Sequence, residues 1–182
     1  TTPGNLASHV GENIGETALT VKGEINASDF EFIADKMTSL TTLDLSDAVI
    51  VAYSGSPVLL GRTNYQANAI PEYALAGSKI QSITLPDGLQ IIEDGAFSST
   101  KLSSITIPES VKEIGLGAFS NCDELVEVVI PTTVGNLGSH AFIDCDKLTK
   151  INLGVSKINA STFARCKSLN NVTATSLNEI GE

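Results

Sequence analysis

One aromatic position returns along the second half of this chain with a period that few folds can accommodate. Phe97, Phe119, Phe142 and Phe163 are separated by 22, 23 and 21 residues, and Leu75 holds the same place 22 residues before the first. A second position reads Ile80, Leu102, Leu125, Leu148 and Leu169. Three residues beyond it stand Ile83, Ile105, Val128, Ile151 and Val172, and two further on Leu85, Ile107, Ile130, Leu153 and Ala174. A closing aliphatic follows at Ile92, Ile114, Leu137, Ile158 and Ile180. Self-similarity at this spacing means a stack of coils, because one unit of about 22 residues cannot bury its apolar face alone.

Within each unit the segment Leu-x-x-Ile-x-Ile ends in the in–out alternation of a half-buried strand, cleanest at Ser104–Pro108 and Glu127–Pro131. Pro86, Pro108 and Pro131 end three of these strands, since proline cannot donate the next ladder hydrogen bond. The chain then turns back to the next Gly-Ala-Phe, where alanine allows close approach and phenylalanine fills the wide end of the coil. The fold class expected is an α/β repeat. It is a solenoid with a parallel β-sheet on one face, loops and short helical turns on the other, and an N-terminal cap containing one helix.

This motif resembles the BspA-like leucine-rich repeats of bacterial secreted and cell-surface proteins, over residues 70–180 in five successive units. Leu75 in place of Phe, and Gly154 and Thr175 where proline is usual, depart from the pattern. The resemblance implies a non-catalytic recognition module, adhesive or protein-binding, that is extracellular or on the bacterial surface with any signal or anchor removed.

The front of the chain is different but related. Ala18–Val21 and Leu40–Leu45 read as two further strands, with Leu19 to Leu43 and Val21 to Leu45 both 24 apart. Between them Ser28 and Glu31 have the spacing of a capping box, opening a helix to about Met37 with Phe30, Ile33, Ala34 and Met37 on one face. Residues 1–50 are expected to form the cap, 51–69 an insert loop or hairpin where the period breaks, and 70–182 the repeats. The last unit is expected to be incomplete: Ile180-Gly181-Glu182 matches Ile114-Gly115-Leu116, where the next coil would begin. An uncapped coil end is an exposed edge, so end-to-end self-association there is a further expectation.

Charge narrows the partners. The net charge of −10 is divided evenly, −5 on residues 1–68 and −5 on 69–182. Counterion release on nucleic acid needs clustered Lys and Arg, and docking on anionic lipid needs the same, so both are disfavoured. No apolar run approaches the roughly 20 residues of a membrane span, and no direct membrane insertion is expected.

Cys122, Cys145 and Cys166 are the most tempting chemical set. They lie 23 and 21 residues apart, each three after a landmark phenylalanine. The close pairs of a zinc site are absent, and the spacing suits a ladder of small buried thiols, one per coil. Ser78 and Thr100 stand near the same place in shorter units. One disulfide between neighbours and a metal site are the alternatives. His9 and His140 have no partner at catalytic spacing; Cys122 or Cys145 with His140 would place an inward thiol against a histidine in a turn. Asp123-Glu124 and Asp144-x-Asp146 lack the glycine and loop of cation motifs and read as a solvated face. Triplets at Asn26, Asn159 and Asn171 match the glycosylation pattern, which carries no meaning in a bacterial chain. No catalytic residue, metal or cofactor is expected.

The outward strand positions carry the functional expectation. They read Thr42 and Asp44, Ser82 and Thr84, Ser104 and Thr106, Glu127 and Val129, Lys150 and Asn152, and Asn171 and Thr173. From Ser82 onward they make the candidate partner-binding face. Hydroxyl ladders also merely solvate a sheet, but solenoids commonly bind through this surface. Tyr53, Arg62 and Tyr65 of the insert are a second candidate, with packing onto the cap as the competing role. The partner expected is a host or bacterial surface protein, or a glycan. A structural spacer holding another domain away from the envelope is the alternative.

Overall fold

The computed structural model describes residues 2–175 and 177–181. Each repeat is one coil, and the backbone of each coil is hydrogen-bonded to the next. The outward sheet runs through β1 (Ala18–Ile25), β2 (Thr42–Ile50) and β6 (Ser82–Thr84). It continues in β8 (Ser104–Thr106), β10 (Glu127–Ile130), β12 (Lys150–Leu153) and β14 (Asn171–Ala174). All pairings are parallel, and the Ser103 N–H donates to Gln81 O at 3.2 Å where the two parts meet. The expected 24-residue offset is the observed register, Leu19 beside Leu43. Leu43 then sits beside Ile83, 40 residues on, so the sheet closes across the insert without a gap.

The far wall is more regular than the loops and helical turns expected there. Two-residue strands β5 (Ala69–Ile70), β7 (Ile91–Ile92), β9 (Glu113–Ile114) and β11 (Asn136–Leu137) form a second parallel ladder. β13 (Lys157–Ile158) and β15 (Glu179–Ile180) pair in the same manner. Four of the closing aliphatics, Ile92, Ile114, Leu137 and Ile158, are the buried inward members of these strands, whereas Ile180 in the last strand is 70% exposed. Glu182, on which the expectation of an unfinished unit partly rests, lies outside the described residues.

A third ladder runs through the Gly-Ala-Phe turns. Gly95, Phe97 and Ser99 donate their N–H groups to the carbonyls of Leu116, Ala118 and Ser120 at 2.9, 2.8 and 2.7 Å. The next coil repeats this at Gly117, Phe119 and Asn121. The N–H groups between them bond three residues back, so the segment alternates turn and ladder bonds. This requires a left-handed residue on each side of the landmark. Tyr73, Gly95, Gly117, His140 and Ser161 fill the first such place, and Gly77, Ser99, Asn121, Asp144 and Arg165 the second. At Gly95 a side chain is also excluded by the Tyr73 ring, 2.2 Å from where its Cβ would be.

Inside, the landmark rings form one column. Phe97 and Phe119 stack at 5.2 Å and 7°, Phe119 and Phe142 at 5.2 Å and 3°, Phe142 and Phe163 at 5.7 Å and 15°. Beside them Ala74, Ala96, Ala118 and Ala141 are fully buried, and Thr162 takes the place in the next coil with its hydroxyl bonded to Asn159 O. Where proline is usual, Gly154 is buried against the preceding coil. A Cβ there would lie 2.4 Å from the backbone of Pro131 and Thr132.

The cap holds two helices instead of one, α1 (Leu6–Val10) and α2 (Ala27–Lys36). The capping box falls two residues earlier than Ser28 and Glu31: Asn26 Oδ1 accepts from Ser28 N, and Asp29 Oδ2 accepts from Asn26 N at 2.9 Å. Asp29 is buried and also receives Gly4 N and Leu6 N, so one carboxylate ties the start of α1 to the start of α2. A buried charge is tolerated when it accepts several backbone donors in this way. Phe30, Ile33 and Met37 face the core, while Ala34 is exposed, because the helix begins earlier and presents a narrower stripe.

Residues 53–65 form the hairpin, β3 (Tyr53–Val58) antiparallel to β4 (Arg62–Tyr65).

Phe119→Ala is expected to lower unfolding free energy by roughly 3–5 kcal/mol in denaturant titration, since it removes a ring enclosed between two others. His140→Gly is expected to raise it by about 1 kcal/mol in the same measurement, because a non-glycine side chain is then relieved of the left-handed conformation.

Candidate functional site

The ladder register turns the outward positions into two continuous columns. Thr42, Ser82, Ser104, Glu127, Lys150 and Asn171 occupy one. Asp44, Thr84, Thr106, Val129, Asn152 and Thr173 occupy the other. Asp44 and Asn152 are half-buried and the rest are exposed. The N-terminal part is a field of hydroxyls. The C-terminal part mixes charge, amide and aliphatic groups, with Val126 and Val129 45% and 48% exposed beside the Glu127–Lys150 ion pair at 2.5 Å. Along the rim, Gln81, Lys101, Ser103 and Glu124 line a depression of about 380 Å³. Sequence reasoning followed the strict in–out alternation and so missed this rim and Val126, which precede the strands.

The insert residues are positioned differently from one another. Tyr65 is buried, its hydroxyl donating to Val58 O and Leu59 O, and its ring packs with Tyr53 and carries the Arg62 guanidinium 4.8 Å from its centre. Arg62 also bridges Glu72 and Glu93 at 3.1 and 3.3 Å. Leu59 N donates to Glu31 Oε1, so the hairpin is bonded to α2. Tyr65 is a packing residue, and Tyr53 and Arg62 keep part of their surface in solvent.

The three cysteines form an internal ladder of free thiols. Their Sγ atoms donate to the carbonyls of Phe97, Phe119 and Phe142 at 3.1, 3.1 and 3.0 Å, each one coil back. Thr100 continues the column, its Oγ1 3.3 Å from Cys122 Sγ. Burial pushes the Cys122 thiol above its ordinary value. Contact with the Cys166 thiol, then burial, does so strongly for Cys145. His140 is exposed in its turn while Cys122 and Cys145 are enclosed, so the arrangement does not assemble a solvent-facing thiol–imidazole pair.

A family model for the BspA type leucine-rich repeat region matches residues 68–182 in six copies. The chain belongs to this family. Among solved structures, a leucine-rich-repeat protein of T. pallidum is 26% identical, with a TM-score of 0.69 over 92% of this chain and 74% of that one. One from Bacteroides ovatus is 21% identical, with a TM-score of 0.62 over 91% of this chain and 45% of that one, and shows the fold alone. A search of curated sequences found no match. Among the described residues no helix is long and apolar enough to cross a membrane.

In this BspA-type stack the acidic clusters are answered by bases one coil on. Glu124 pairs with Lys147 at 2.6 Å, Asp144 with Arg165 at 2.6 and 2.5 Å, and Asp146 with Lys167 at 2.7 Å. Hydrogen bonding from Lys147 and Arg165 holds the Glu124 and Asp144 carboxyls below their ordinary values of 4.5 and 3.8. A depressed carboxylate contributes stability that is present above its unfolded value and lost as pH falls through the folded one. Stability of the C-terminal coils is therefore expected to decline as pH drops below that ordinary range. Arg165→Met is expected to weaken the decline slightly, and added salt to blunt it, as read by denaturant titration across pH.

Proposed function

We propose that this chain is a non-catalytic recognition module of the bacterial surface, engaging a protein partner through the outward face of its sheet. The observation that carries this reading is the pair of in-register columns. They hold twelve named side chains on one rigid wall, and over the C-terminal coils they place the exposed Val129, with Val126 just before its strand, among paired charges and amides. An aliphatic centre with a satisfied polar rim suits a protein partner. Parallel ladders hold such groups in place before binding, so little ordering entropy is lost on contact. The hydroxyl field toward the N-terminal coils is the part suited to a glycan.

The test is surface plasmon resonance against a panel of immobilised host extracellular-matrix proteins and bacterial surface proteins. A quadruple variant replaces Lys150, Asn152, Asn171 and Thr173 by alanine. Outward substitutions of this kind are expected to leave the melting midpoint within a few degrees of wild type. Loss of binding by at least roughly tenfold, or about 1.4 kcal/mol, supports the sheet face. Unchanged affinity moves the site elsewhere, and wild-type silence across the panel favours the spacer role.

A further inference from the structure

Cys145 and Cys166 lie at equivalent places in adjoining coils, three residues after Phe142 and Phe163, whose rings stack at 5.7 Å. Each thiol donates to a carbonyl one coil back, Cys145 to Phe119 O and Cys166 to Phe142 O. The residues on either side are clamped as well: Arg165 holds Asp144, and Lys167 holds Asp146. Two ion pairs thus straddle the thiol pair and fix its register. Chains paired at the ordinary strand spacing of about 4.8 Å fall inside the Cα separation of roughly 4.4–6.8 Å that a disulfide spans. Access differs between the three thiols. Cys122 and Cys145 are fully enclosed, whereas Cys166 is partly exposed on its outer coil.

We propose that Cys145 and Cys166 form a reversible disulfide between coils, entered at Cys166 by a low-molecular-weight disulfide. The Cys166 thiolate attacks one sulfur of the reagent RSSR, making Cys166–S–SR and releasing RS⁻. The Cys145 thiolate then attacks the Cys166 sulfur, forming the inter-coil S–S bond and releasing a second RS⁻. The two thiol protons leave with the released groups as two RSH. Two protein sulfurs are oxidised and one RSSR is reduced. Cys122 stays out of the exchange because it lies two coils from the entry thiol, Cys166, and is engaged on its other side by Thr100 and Phe97 O. The new bond ties one coil covalently to its neighbour at a place where the ladder already holds them.

The test incubates the protein with oxidised glutathione, caps the remaining thiols with N-ethylmaleimide and maps peptides without reduction. Expected is one Cys145–Cys166 linkage, one capped Cys122, and an oxidised melting midpoint several degrees above that of the reduced protein, since the crosslink restricts the unfolded chain. Cys122→Ser should form the bond as wild type does, and Cys145→Ser should stop at glutathione on Cys166. The mapping of wild type stands alone if a serine variant fails to fold. A stable glutathione adduct on wild-type Cys166, a Cys122–Cys145 linkage, or three capped thiols would each overturn the proposal.

Discussion

Everything in this molecule depends on backbone hydrogen bonds that run between coils. A coil of about 22 residues satisfies few of its N–H and C=O groups internally, and a buried unpaired group costs about 1–3 kcal/mol. Three ladders solve this: the outward sheet, the two-residue strands of the far wall, and the alternate N–H groups of the Gly-Ala-Phe turns. Because all three must stay in step, each coil repeats the path of the one before it. That requirement puts equivalent residues on top of one another, and the rest of the structure follows. The phenylalanine rings stack nearly parallel, the thiols align, and Lys147, Lys150, Arg165 and Lys167 each reach an acid one coil back.

The same requirement excludes side chains where backbones approach. A Cβ on Gly138 would lie 2.4 Å from the backbone of Gly115, and one on Gly115 2.6 Å from Asp94 N. Those glycines are therefore set by contact, whereas Gly95 and Gly117 are set by left-handed φ values of 59° and 58°. The chain spends strain where function of the turn demands it, since His140, Asp144 and Arg165 adopt the same conformation with side chains attached. For Asp144 and Arg165 the bidentate ion pair between them offsets part of that cost.

Legibility in the sequence tracked how many times a feature repeats. The landmark phenylalanine, the strand aliphatics and the thiol column recur in register, so periodicity exposed them. The far-wall ladder recurs too, but as dipeptides such as Ile91-Ile92 and Asn136-Leu137, too short for an alternation to show. The left-handed positions were hidden because seven residue types fill them, Gly, Ser, His, Asn, Asp, Tyr and Arg, with no shared side-chain chemistry to mark the place. In the cap there is no repeat to average over, and two overlapping capping patterns competed. Asn26 and Asp29 prevailed because Asp29 also gathers Gly4 N and Leu6 N from a distant segment, a tertiary bond no local motif records. For the candidate site, alternation located the two columns, while for Tyr65 the sequence left anchoring and packing both open: its hydroxyl partners, Val58 O and Leu59 O, exist only once the hairpin has formed.

The insert shows how a stack can change the kind of coil it is built from. The cap strands β1 and β2 are eight and nine residues long, and those of the repeats three or four. β2 meets this mismatch by pairing with β6 over Thr42–Asp44 only, leaving Ser46–Ile50 to continue beyond the narrower sheet. The hairpin is fastened on both sides of that step. Leu59 N and Glu31 join it to α2, and Arg62 joins it to Glu72 and Glu93 in the first two coils. The remaining strand ending, Ile50 O, receives Asn68 N at the start of the far wall. With the interior, the turns and the front of the stack all committed to holding register, the outward columns are the positions whose chemistry the fold leaves open. Recognition can therefore be written there without disturbing the ladders beneath.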